Sequence, residues 1–160
     1  MARVRVRVVQ VVLLTVFQTI FGLSQETEHC KEAQQYPDPE PASLVEMGPL
    51  VVSRVQGRAV LVVRDKTLPP DKLREVCLSL FTADTRKFVA STTPDRKGSF
   101  DFGSIPPGDY RLIQRAPGLC TGNTAIRVTA ARSKRRQRTI IVRFRAHGID
   151  VCSGADYDRM

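Results

Sequence analysis

From residue 50 onward, apolar residues recur at every second position in short runs, and glycine, proline or aspartate interrupts each run after a few residues. In EVCLSLFT (75–82), Val76, Leu78 and Leu80 fall on one side of an extended chain, with Cys77, Ser79 and Phe81 on the other. RTIIVRFRA (138–146) sets Ile140, Val142 and Phe144 against Ile141, Arg143 and Arg145. GSFDFG places Phe100 and Phe102 two apart, and GDYRLIQRA does the same for Tyr110 and Leu112. LVVSRVQGRAVLVVRD (50–65) is dense in β-branched residues and reads as one strand with a bulge or bend at Gly57. KFVASTT and TAIRVTAA complete a series of about seven strands. Helical period is nearly absent, since PDKLREV has room for no more than one turn. The pattern predicts an all-β fold over 50–146, an antiparallel β-sandwich whose sheets bury their alternating faces ~10 Å apart.

Two turn signals punctuate DRKGSFDFGSIPPGDYRL (95–112). Asp95 is placed to accept hydrogen bonds from the amides that follow it, and Gly98 to supply the positive φ that returns the chain to a strand. Pro106 and Pro107 preset φ, and Gly108 is expected to complete the second reversal. Phe100, Phe102, Tyr110 and Leu112 then become inward anchors of two neighbouring strands. No step here requires a nucleophile or a base, so the stretch reads as a corner of the fold.

Taken together, GRAVLVVRD, EVCLSL and TTPDRKGSFDFGSIPPGDYRLIQRAPG resemble the carboxypeptidase regulatory-like domain. That family comprises small prealbumin-like or Ig-like β-sandwiches, similar in layout to collagen-binding B-type repeats. The positions that carry the resemblance are Gly57, Val76, Leu78, Asp95, Gly98, Phe100, Pro107, Gly108, Tyr110 and Gly118, and it spans roughly 55–144. It implies a structural or accessory module, because family members serve as stalks, spacers and partners of other domains. Cysteines inside the domain and the tail HGIDVCSGADYD depart from the simplest pattern and imply an exported, disulfide-containing subtype. The peptidase for which the family is named needs a His-x-x-Glu pair and a distant histidine. His29 and His147 have no such neighbours, and the tail SGADYDRM lacks the Tyr-Arg-Gly-Ser ending of the related hydroxyisourate hydrolases. A non-catalytic chain without cofactor or metal is the expectation.

The first 24 residues read as an export signal: Arg3, Arg5 and Arg7 precede an apolar stretch over 8–23, and Gly22 and Ser24 suit cleavage after Ser24. Retention as an uncleaved anchor is the competing reading, although the stretch is short and holds Gln10, Thr15, Gln18 and Thr19. Residues 25–49, with YPDPEP at their centre, show no period and are expected to form a flexible proline-rich leader. Residues 147–160 are expected to form a polar tail. A secreted or periplasmic, cell-envelope location follows.

Composition agrees with a folded module. The chain is 42% hydrophobic and 26% charged, which argues against wholesale disorder, and its 6% aromatic content leaves the core to Val, Ile, Leu and Phe. Cys30, Cys77, Cys120 and Cys152 make an even count in an exported chain, so two disulfides are expected, with three pairings open. One of them is expected to tie Cys30 or Cys152 to the body of the domain. The formal charge of +9 includes the three signal arginines. Much of the remainder lies in ARSKRRQRT, where Arg132, Lys134, Arg135, Arg136 and Arg138 are expected to crown a hairpin; a solvated loop that discourages edge-to-edge pairing is the preferred reading, and a polyanion-binding patch is the alternative. No aromatic residue is interleaved for base stacking, which, with export, disfavours nucleic acid. The expected partner is a protein or an anionic glycan or surface, with membrane contact limited to the signal. His147, Asp150, Cys152, Asp156 and Asp158 cluster without a calcium-loop spacing, and a docked polar tail is the preferred reading of them.

Overall fold

The structure, a computed structural model, describes residues 30–41, 48–63, 66–68, 75–130, 138–145 and 154–157. They form ten short strands: β1 (Leu50–Val52), β2 (Gln56–Val63), β3 (Lys66–Leu68), β4 (Cys77–Thr82), β5 (Phe88–Thr92), β6 (Ser99–Asp101), β7 (Gly108–Arg115), β8 (Gly122–Val128), β9 (Ile140–Arg145) and β10 (Gly154–Tyr157). The first sheet runs β1-β8-β7-β4-β5; the second runs β10-β9-β2-β3, with β6 beside the start of β2. The fold is the expected all-β two-sheet sandwich, but it has more than seven strands and is not purely antiparallel. β1 lies parallel to β8, and β2 parallel to β9. Hydrophobic alternation reports which side a residue faces and is blind to the direction of the neighbouring strand, so mixed pairing leaves no trace in it.

The run 50–65, read as one strand, is two. Leu50 and Val52 face the core from the first sheet, and Val55 and Ala59 face it from the second. The period of two slips by one residue across Ser53 and Arg54, and the chain changes sheets there. Gly57 is accordingly no bend. It sits within β2 between Phe100 on one side and Ile140 on the other, and a Cβ there would run into the carbonyl oxygen of Ile140.

The inner faces of both sheets supply one continuous core, including the fully buried Leu78, Leu80, Leu112, Ile140, Val142 and Phe144. A side chain the size of Phe144 contributes about 2–3 kcal/mol when it is buried fully. Ala155 and Tyr157 of β10 pack against this core, and the Ala155 amide donates to the Thr124 hydroxyl of β8 at 3.1 Å. The edge of the second sheet is thereby laid over the first.

The corner at 95–112 forms largely as its residues predict. Asp95 Oδ1 accepts from the amides of Lys97 and Ser99, both at 2.8 Å, and Gly98 has φ +82°. Two details differ. β6 and β7 are not neighbours in one sheet, because β6 pairs with β2 and β7 belongs to the first sheet. The stretch is a corner between sheets. Gly108, moreover, is the extended first residue of β7; the left-handed glycine is Gly103 (φ +71°), whose amide donates to Asp101 Oδ1 at 2.8 Å. The exposed Pro107 leads into β7, and the Tyr110 hydroxyl closes the corner by donating to the Pro106 carbonyl at 2.8 Å. A tyrosine that reaches back a few residues along its own chain is a recurrent device at sandwich corners.

Candidate functional site

The cationic run ARSKRRQRT joins β8 to β9. Those strands lie in different sheets, so the connection crosses the sandwich and crowns no hairpin. Arg132, Lys134, Arg135 and Arg136 lie outside the described residues. Arg138 is described: its guanidinium carbon stands 4.6 Å from the centre of the Tyr157 ring, a cation–π contact. The Tyr157 hydroxyl accepts from the Val51 amide at 2.6 Å and donates to the Val51 carbonyl at 3.3 Å. One tyrosine thus ties β10 of the second sheet to β1 of the first, and Arg138 covers its ring. In the tail, His147, Asp150, Cys152 and Asp158 lie outside the described residues, as does His29, while Asp156 caps the Tyr157 amide at 2.7 Å. Among the described residues, no three His, Cys, Asp or Glu side chains group as a metal site.

A more elaborate arrangement covers the outer face of the first sheet. Here β4 presents Cys77, Ser79 and Phe81, which are as buried as the residues on its inner side. The cover is the segment 30–41, part of the stretch read from sequence as an unpacked leader; residues 42–47 of that stretch lie outside the described residues. Cys30 is disulfide-bonded to Cys77, and Ala33 packs beside the pair. A 3-10 turn (Glu32–Gln34) follows, and the Arg115 guanidinium donates to the carbonyls of Glu32 at 2.8 Å and Gln35 at 2.7 Å. Burial pulls the Arg115 pKa below its ordinary value. Beyond the turn the Tyr36 ring stands edge-on to Phe81, which in turn meets Phe88 at 5.8 Å.

Three donors then converge on one carboxylate. Glu40 Oε1 accepts from the Tyr36 hydroxyl at 2.8 Å and from Asn123 Nδ2 at 2.9 Å; Glu40 Oε2 accepts from Arg86 at 2.5 Å. Arg86 also lies over the Tyr36 ring, 4.9 Å from its centre. Its backbone is left-handed, φ +54°, the one such non-glycine among the described residues, in the tight turn between β4 and β5. That conformation closes the short hairpin, in which the Arg86 amide donates to the Thr82 carbonyl at 3.1 Å. The Tyr36 hydroxyl, assisted by Asn123 and Arg86, holds the Glu40 carboxyl below the usual range against the opposing effect of burial. Burial, followed by the bond to Glu40, pushes the Tyr36 phenol up to about 12. Asn123 is 6% exposed, and its Oδ1 has no hydrogen-bond partner.

No family model and no curated protein matches this chain. What stands is a two-sheet β-sandwich with a disulfide-fastened arm. Of the residues singled out in the sequence, Asp95 and Gly98 shape one corner, Cys30 and Cys77 fasten the arm, and Cys120 is disulfide-bonded as well. Tyr36, Glu40, Arg86 and Asn123 escaped the sequence reading. A signal for them was present: EVCLSLF is apolar on both sides, as a strand is when something covers each of its faces.

Proposed function

We propose that the chain is an exported, non-catalytic β-sandwich module of the carboxypeptidase regulatory-like kind, with a structural or protein-interaction role at the cell envelope or outside the cell. The observation that carries this reading is the Cys30–Cys77 disulfide, buried at both ends, which pins the arm to the sandwich. A structural disulfide of this sort belongs to an oxidising compartment. No helix among the described residues is long and apolar enough to cross a membrane. Asp95, Asp101 and Tyr110, three polar groups of the corner, are engaged in closing turns, which suits a scaffold role. The test is to express the full chain in an exporting host, fractionate the cells and cross-link in place. Recovery of an oxidised chain outside the cytoplasm, attached to a defined protein, supports the reading. A reduced cytoplasmic chain would sink it.

A second reading, polyanion binding through Arg132, Lys134, Arg135, Arg136 and Arg138, draws on the five cations within seven residues of the connection between β8 and β9. Retention on anionic and neutral glycans across a salt series decides it, with the five cations replaced by Gln or Ser as the control. Equal retention of parent and neutralised chains would remove this reading.

A further inference from the structure

We propose that Tyr36, Arg86 and Asn123 form a carboxylate receptor, closed in the isolated chain by Glu40, whose ligand in a complex is a proline-flanked glutamate on a partner polypeptide. The proposal rests on the reading of the chain as an interaction module and names the partner's chemistry.

The receptor is assembled from three separate parts of the chain: the arm, the β4–β5 turn and β8. Both carboxylate oxygens are met, one by neutral donors and the other by a guanidinium, which is a strong and directional combination. Asn123 adds an independent mark. Its side chain is nearly wholly buried, and its Nδ2 donates to the carboxylate at 2.9 Å. Without a carboxylate there, that buried N–H would lose its short acceptor, which is costly for a group shielded from water.

The two ends of the arm are fastened unequally. The disulfide at Cys30, the Arg115 bonds to Glu32 and Gln35, and the Tyr36–Phe81 contact all lie at or before residue 36. Past it, the polar ties from 37–41 to the sandwich are those of Glu40 and a 3.5 Å bond from Asn123 to the Pro41 carbonyl. Pro37, Pro39 and Pro41 have no N–H to offer the sheet. Residues 37–41 can therefore lift away while Tyr36, and with it the receptor, stays in place. Glu40 is within reach of solvent, its side chain 32% exposed, so a competitor can approach. Arg111 faces the same carboxylate and reinforces the preference for an anion. The occupant seen is a glutamate between prolines in a bent segment, so a second proline-flanked glutamate offers the site the same carboxylate with the same restricted flanks, which have little freedom to lose on docking.

The test uses the full oxidised chain, its Glu40→Gln variant, and the acetylated peptide Pro-Asp-Pro-Glu-Pro-amide, with a copy carrying Gln for Glu and an oligogalacturonate as comparators. The Glu40→Gln chain should bind the Glu peptide about tenfold more tightly than it binds the Gln peptide, and about tenfold more tightly than the parent does. Adding Arg86→Gln should abolish the difference. In the parent, a large excess of the Glu peptide should shift the Asn123 side-chain amide resonances, which also covers the case in which the variants fold poorly. Equal binding of the two peptides, binding that survives Arg86→Gln, or an unmoved Asn123 amide overturns the proposal. Preference for oligogalacturonate over the peptide overturns the peptide ligand in favour of a glycan. None of these failures touches the interaction-module reading, which is decided by export and cross-linking.

Discussion

The ring of Tyr36 meets Phe81 edge-on, with centroids 5.2 Å apart and planes at 89°, and this contact turns the outer side of β4 into interior. Phe81 is completely buried although it points away from the main core. The arm is therefore part of the folded unit, and its loss should register in global stability. Tyr36→Phe, which removes the hydroxyl bond to Glu40, should cost about 1 kcal/mol. Tyr36→Ala, which also uncovers Phe81, should cost about 2–3 kcal/mol. Urea unfolding of the oxidised full chain measures both. An unchanged midpoint for Tyr36→Ala would show that the arm is not integral to the fold.

Gly57 and Gly154 offer a matched pair of glycine substitutions. At Gly57 an added methyl meets the backbone carbonyl of Ile140 inside the β2–β9 ladder, where neither strand can retreat without losing register. At Gly154 it meets open space. Gly57→Ala is expected to cost about 3 kcal/mol or more, and Gly154→Ala less than about 0.5 kcal/mol. Thermal unfolding followed by circular dichroism compares them, and similar melting temperatures would refute the close approach of β2 and β9.

The residues that made the fold legible share one property: their signals are local. Asp95 and Gly98 announce their turn within four residues, and the alternation in β4, β7 and β9 is complete within each strand. What escaped is long-range. The parallel pairing of β1 with β8 depends on how connections cross the sandwich, and no short window holds that information. The change of sheet at Ser53 and Arg54 was nevertheless written in the chain, as a one-residue slip of the apolar period between Val52 and Val55. The carboxylate cluster was the least legible, because Glu40, Arg86 and Asn123 lie far apart in sequence and are of types that usually face solvent.

Cysteine pairing follows from count and structure together. Cys30 is joined to Cys77, 47 residues away, and Cys120 is disulfide-bonded, which leaves Cys152 as the fourth cysteine of the sequence. Peptide mapping without reductant should recover Cys30–Cys77 and Cys120–Cys152 peptides and no free thiol. Replacing Cys30 and Cys77 together by Ser should cost about 3–4 kcal/mol, since a loop of that length is released in the unfolded chain. A peptide linking Cys77 to any cysteine other than Cys30 would contradict the docking of the arm.

The seating of the arm should depend on pH in two opposite senses. Glu40 has its pKa lowered in the folded chain, chiefly by the Tyr36 hydroxyl and then by Asn123 and Arg86, with Arg111 also facing it. Its contribution is therefore complete above the ordinary carboxyl value of 4.5 and is lost as pH falls through the lowered one. Tyr36 is raised, from 10.0 to about 12, so its contribution is complete below 10.0 and fades as pH climbs toward 12. Between those limits the arm is held most firmly. The Asn123 side-chain carbonyl carbon resonance of the oxidised chain, beside the amide that donates to Glu40, should hold a plateau with an acid limb and an alkaline limb. Glu40→Gln should erase the acid limb, because the amide has no proton to gain, and should bring the alkaline limb to lower pH by removing the carboxylate beside the phenol's proton. An acid limb that survives Glu40→Gln would assign the arm's acid sensitivity to a different carboxyl group.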